Sequence, residues 1–149
     1  MQKLLIKEES ARVKENRDLL QQEWVIHAVN SEYPEILQIC QQDYTKKTAQ
    51  LLHKLELNVK LTGYRCLICA IPMVADNPSV LLKEIYPDIA KQCCLSDYRC
   101  VERTIRSAIW KAWENRDDAV WSQYFPRNKA GEIIRPTNKE FIARLAEEL

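Results

Sequence analysis

The residues best suited to chemistry lie between positions 99 and 110. Val101, Ile105, Ala108 and Ala112 recur at helical spacing and read as a buried side, which leaves Arg99, Glu102, Arg103, Arg106, Ser107 and Trp110 around the exposed side. An arginine can donate two hydrogen bonds to guanine O6 and N7, and a glutamate can accept one from cytosine N4. Three arginines near the start of one helix therefore carry the donors that major-groove reading requires. Periodicity alone does not separate such a face from an ordinary solvated one.

Two other constellations point to different chemistry. Cys66 and Cys69 have the spacing of a zinc knuckle, and Cys93, Cys94 and Cys100 could complete a thiolate set. Against this, Cys66 and Cys69 fall in an uninterrupted apolar segment beside Leu67, Ile68 and Ile71, with no glycine-bearing knuckle. Free cysteine there behaves as a small hydrophobe, so no metal and no cofactor is expected. His27 and His53 are the only histidines; they lie on different predicted helices, and neither has a nucleophile at a recognisable motif, so an enzyme is not expected. Trp113 reads as core. Trp110 falls on the exposed side and is expected to meet a partner helix or pack under residues 122–126.

These residues need a scaffold, and 149 residues amount to one domain able to bury its own core. The chain has only 2 glycines, which argues against hairpin turns and phosphate-cradling loops, since both use positive φ. No apolar run reaches the roughly 18 residues that cross a bilayer, and Met1 to Ser10 is too charged for a secretory signal. With 6 cysteines and no secretion signal, reduced thiols in a cytoplasmic protein are expected. The net charge of +1 supplies no global attraction to nucleic acid, although a local basic face would suffice.

The predicted elements are helices throughout. Residues 3–29 form a long charged helix whose apolar stripe breaks between Val13 and Leu19, too irregular for a coiled coil. Pro34 opens a short helix carrying Ile36, Leu37, Ile39 and Cys40, and Asp43 or Thr45 caps the next, which buries Leu51, Leu52 and Leu55. An apolar helix runs from about Gly63 to Ala75. Asn77 before Pro78 is a helix-start signature, and Pro87 begins another short helix ending at Cys94. Leu95 belongs to the turn, and Ser96 is the expected N-cap of a helix reaching about Asn115. A polar loop follows over 126–135. Thr137 and Glu140 make a capping box for a last helix that buries Phe141, Ile142 and Leu145. The expected fold is all-α: a helical bundle of seven or so helices containing a helix-turn-helix at 87–113 within a domain at 45–149, with an N-terminal helical extension at 1–44.

The wording of the segments adds to this reading. Leu61-Thr62-Gly63-Tyr64, Tyr86-Pro87-Asp88-Ile89-Ala90, Val101-Glu102-Arg103-Thr104-Ile105-Arg106, Ala112-Trp113 and Arg135-Pro136-Thr137-Asn138-Lys139-Glu140-Phe141 occur in this order. Together they resemble the C-terminal effector domain of stage zero sporulation protein A, a response-regulator family, over about Thr48 to Leu149. The resemblance implies a six-helix DNA-binding domain that recognises operator boxes as tandem copies. It places base or backbone contact on Glu102, Arg103 and Arg106, which match the family's stretch Val-Glu-Arg-Ala-Ile-Arg. It also matches the stretch from Arg135 to Asn138 to the basic start of the family's last helix, where an anion or a neighbouring subunit could sit. Cys100 stands where the family has arginine and Ser107 where it has histidine, so the operator is expected to differ. The stretch from Ala75 to Lys83 is shorter than in the family. No strand-and-helix alternation precedes the match, so no receiver domain, and no switching by aspartyl phosphorylation, is expected in this chain.

The functional expectation is a sequence-specific transcriptional regulator of double-stranded DNA using Arg99, Glu102, Arg103, Arg106, Ser107, Lys129, Arg135 and Asn138. The alternative is an interaction module that keeps the fold but pairs with a full-length regulator or RNA polymerase. Leu20, Trp24 and Val25, with Ile36, Leu37 and Ile39, cannot all be buried by one helix, which suggests a homodimer through residues 1–44.

Overall fold

The computed structural model describes residues 34–149, with side chains from residue 42 onward. The expected helix over 3–29, His27 and most of the proposed dimer segment lie outside the described residues. The chain divides into two units, Met1–Tyr44 and Thr45–Leu149. Six helices are described: α1 (Pro34–Lys54), α2 (Thr62–Asp76), α3 (Leu82–Gln92), α4 (Tyr98–Glu114), α5 (Asp118–Trp121) and α6 (Asn138–Ala146). Among the described residues there is no strand, only an isolated antiparallel bridge between Arg127 and Ile133. The fold is all-α, as the pattern predicts.

Three local expectations are corrected. The break at Asp43 to Thr45 does not occur, and α1 is continuous, because no glycine or proline follows Pro34 within this helix and polar residues inside a helix cost only tenths of a kcal/mol. Asn77-Pro78 starts no helix. The next one begins at Leu82, so Pro87 lies inside α3 instead of opening it. Proline there forfeits one backbone bond, but Ile85, Tyr86 and Ile89 are all buried along the same helix and hold it in place.

The third correction concerns the start of α4. Asp97, and not Ser96, is the N-cap: its Oδ1 accepts from the N–H groups of Arg99 at 2.8 Å and Cys100 at 3.1 Å. A carboxylate is the stronger acceptor at the positive end of a helix. Those bonds hold the Asp97 carboxyl below its ordinary pKa. Between α3 and α4 the chain turns sharply through Cys94 at φ 55°, closed by a bond from the Leu95 N–H to the Ala90 carbonyl at 2.8 Å.

The core of the second unit forms where α4 packs on α2, α3 and α6. Val101, Ile105, Ala108 and Ala112 are buried as the periodicity requires, and Ile109 joins them. Gly63 of α2 meets α4 at Thr104, and the Cys66 thiol lies 3.8 Å from the Thr104 hydroxyl. Trp121 anchors the far end: its ring meets Trp113 edge-on at 5.6 Å, and Phe125 stacks on Phe141 at 5.6 Å. The capping box is present in part, with the Thr137 hydroxyl accepting the Glu140 N–H at 3.2 Å, and Phe141, Ile142 and Leu145 buried. No described helix is long and apolar enough to cross a membrane.

Candidate nucleic-acid interface

Because the apolar side of α4 is consumed by packing on three helices, its polar side faces outward over the length of the helix. Arg99, Glu102, Arg103, Arg106 and Ser107 are all exposed. Arg99, Arg103, Arg106 and Trp110 succeed one another at spacings of four, three and four, which is one stripe of an α-helix. The Arg103 guanidinium lies 3.6 Å from the Cys100 sulfur, while the Arg99 guanidinium lies over the neighbouring Tyr98 ring at 5.7 Å. Its hydrogen bond to the Tyr98 hydroxyl raises the pKa of an already permanent cation. Arg106 pairs with Glu102 at 3.3 Å, an exposed i,i+4 contact that costs little to open. All three arginines can thus be redirected to a ligand without breaking the fold.

The start of α6 is tied to this face. Asn138 Nδ2 donates to the Glu102 carbonyl at 2.9 Å. Arg135 lays its guanidinium 3.7 Å over the Trp110 ring, a cation–π contact bridging the 126–135 loop and α4. Trp110, 44% exposed, supports Arg135 and donates its indole N–H to Glu114. Glu102, Arg106, Arg135 and Asn138 consequently line one cleft of about 400 Å³, together with Tyr86 and Lys139. Tyr86 and Lys139 were not singled out by the sequence. Lys139 belongs to the same basic run as Arg135, which was the available signal, whereas nothing local announces Tyr86.

Lys129 stands apart. It is exposed in a tight turn where the Asn128 side chain accepts from the N–H groups of Ala130 at 3.0 Å and Glu132 at 2.9 Å. Gly131 adopts φ 80° there, a conformation that favours glycine.

Cys66 lies against the inner side of α4 at Thr104, with Cys69 and Cys93 close to it. Cys66 and Cys93 are buried, and Cys69 is half-buried. Burial pushes the Cys66 thiol up to about 12 and the Cys69 thiol to about 11. Among the described residues no group of three or more His, Cys, Asp or Glu side chains is arranged to hold a metal ion. His53 is exposed near the end of α1.

Residues 48–149 match the model of the family described as "Sporulation initiation factor Spo0A C terminal". The chain belongs to this family. The Spo0A C-terminal domain is a DNA-binding effector domain acting in transcription regulation and sporulation, and it is not an enzyme family. The match begins inside α1 and takes in every element that builds the α4 face and the cleft beside it.

Proposed function

We propose that this chain binds double-stranded DNA sequence-specifically as a cytoplasmic transcriptional regulator, with α3 and α4 as its helix-turn-helix and α4 as the recognition helix. The observation that carries the reading is the division of α4. One side is locked by Gly63, Thr104 and the buried aliphatic residues, and the other presents Arg99, Arg103 and Arg106 in a single stripe. In this reading the arginines and Glu102 meet base edges, while Arg135, Asn138 and Lys129 meet the phosphate backbone. Cys100 and Ser107 border the stripe. Neither supplies an arginine's two donors, so the preferred operator differs from those read by relatives with arginine and histidine there.

Selection of bound duplexes from a random pool, followed by affinity measurements across salt concentrations, tests the proposal. The expected outcome is an enriched motif bound more tightly than random DNA, with log affinity falling linearly with log salt for both. Recovery of unenriched sequences would overturn specific reading.

A further inference from the structure

Among the described residues four arginines lie over aromatic rings, and they differ in what their donors do. Arg116, 3.8 Å over Trp113, spends its Nε on Asp118 at 2.8 Å and another nitrogen on the Trp113 carbonyl at 3.1 Å. Arg144, 5.9 Å from the Tyr124 ring, is tied to the Tyr124 carbonyl, Glu147 and Glu148. Arg99 donates to the hydroxyl of the Tyr98 ring it lies over. Arg135 is different. It sits 3.7 Å over the Trp110 ring, and among the described residues its guanidinium donates no hydrogen bond and enters no ion pair.

A stacked guanidinium meets the ring with its face, so the N–H donors in its plane stay available. Arg135 is therefore a cation with a fixed place and unspent donors. The ring beneath it is itself held, since the Trp110 indole N–H is donated to Glu114, one turn further along α4. Trp110 is 44% exposed and stands outside the buried side of α4, so the core gives little reason for an indole there. Its position is the one that follows Arg99, Arg103 and Arg106 on the exposed stripe. The loop over 126–135 thus delivers a further guanidinium to the stripe at the place where α4 carries an indole.

We infer that Trp110 is a positioning residue for DNA binding: its ring holds the Arg135 guanidinium, donors free, at the end of the α4 stripe, where it meets a backbone phosphate. This rests on the proposed function above. The ring biases Arg135 toward its bound place before DNA arrives, which spares part of the cost of ordering a long side chain on binding. It can favour that place by no more than the stack is worth at an exposed site, a factor of about two to five.

The test is a double-mutant cycle on the full chain, read by anisotropy on the selected duplex and on random duplex. Trp110→Ala should weaken both about two- to fivefold, and Trp110→Phe, which keeps a ring face, should lose less. In an Arg135→Ala background, Trp110→Ala should cost nothing further. The Arg135 Nε–Hε signal of the free chain reports the stack without DNA: the indole displaces it in the parent, and Trp110→Ala should return it to the position of an unstacked arginine. Parental affinity in Trp110→Ala, or an unstacked Arg135 signal in the parent, overturns the inference. So does a full loss from Trp110→Ala in the Arg135→Ala background, which would mean that the indole meets DNA itself. In each of these cases the proposed function stands. A parent that binds no duplex removes both.

Discussion

Gly63 approaches Thr104 so closely that a Cβ on Gly63 would stand 2.1 Å from the Thr104 carbonyl oxygen. This is where α2 seats α4, directly behind the arginine stripe. Alanine is favoured over glycine inside a helix by about 1 kcal/mol. The clash here is with backbone and cannot be relieved by a rotamer change, so overpacking at the upper end of about 1 to 3 kcal/mol outweighs that gain. Gly63→Ala is expected to lower the denaturant midpoint and loosen DNA binding with it. A variant more stable than the parent would mean α2 and α4 are not so close.

Cys94 gives the opposite sign. It holds φ 55° in the turn before α4, a conformation that is unfavourable by about 1 to 2 kcal/mol for a residue with a Cβ. Glycine removes that strain while adding some freedom to the unfolded chain. Cys94→Gly should therefore raise the thermal midpoint modestly, with DNA affinity unchanged. A lowered midpoint would show that the Cys94 side chain has a packing role.

Asp97 predicts a dependence on acid. Its folded-state pKa lies below the ordinary 3.8, chiefly through the backbone N–H of Cys100. A depressed carboxyl contributes stability that is fully present above the unfolded pKa and is lost as pH falls through the folded one. Asp97→Asn should accordingly be less stable than the parent at neutral pH, with the difference shrinking below about pH 4 as the parent's carboxyl protonates. Urea titrations at several pH values check this; a difference independent of pH would mean the cap carries no charge effect.

Thiol reactivity should follow burial. Cys66 and Cys69, raised to about 12 and 11, hold almost no thiolate at pH 8, whereas Cys94 is exposed. Alkylation of the native chain followed by peptide mass mapping should mark Cys94 well before Cys66. Equal labelling would contradict the packing of α2 against α4.

Much of this architecture is written locally. The buried side of α4 follows from the spacing of Val101, Ile105, Ala108 and Ala112, and the start of α6 from Thr137 and Glu140, since both signals are contained within a helical turn or two. The start of α3 is not legible locally, because Pro87 is a helix-start signal that burial of Ile85, Tyr86 and Ile89 overrides. The cap of α4 is legible only to within one residue, as Ser96 and Asp97 are both good caps and only the backbone path chooses between them. Contacts across the chain left no trace: the stacking of Arg135 on Trp110 and the closeness of Gly63 to Thr104 join segments far apart in sequence. The cleft was missed for the same reason, being assembled from α3, α4 and α6.

The central claim is that the α4 stripe reads bases while the surrounding cations hold the backbone. The most direct measurement is fluorescence anisotropy on the selected site and on random duplex, comparing Arg103→Ala and Arg106→Ala with Lys129→Ala and Arg135→Ala. The first pair should lose about 1 to 3 kcal/mol on the selected site and little on random DNA, collapsing discrimination. The second pair should weaken both duplexes alike and lower the salt dependence. Equal losses on both duplexes for Arg103→Ala and Arg106→Ala, or no loss at all, would contradict base reading by α4.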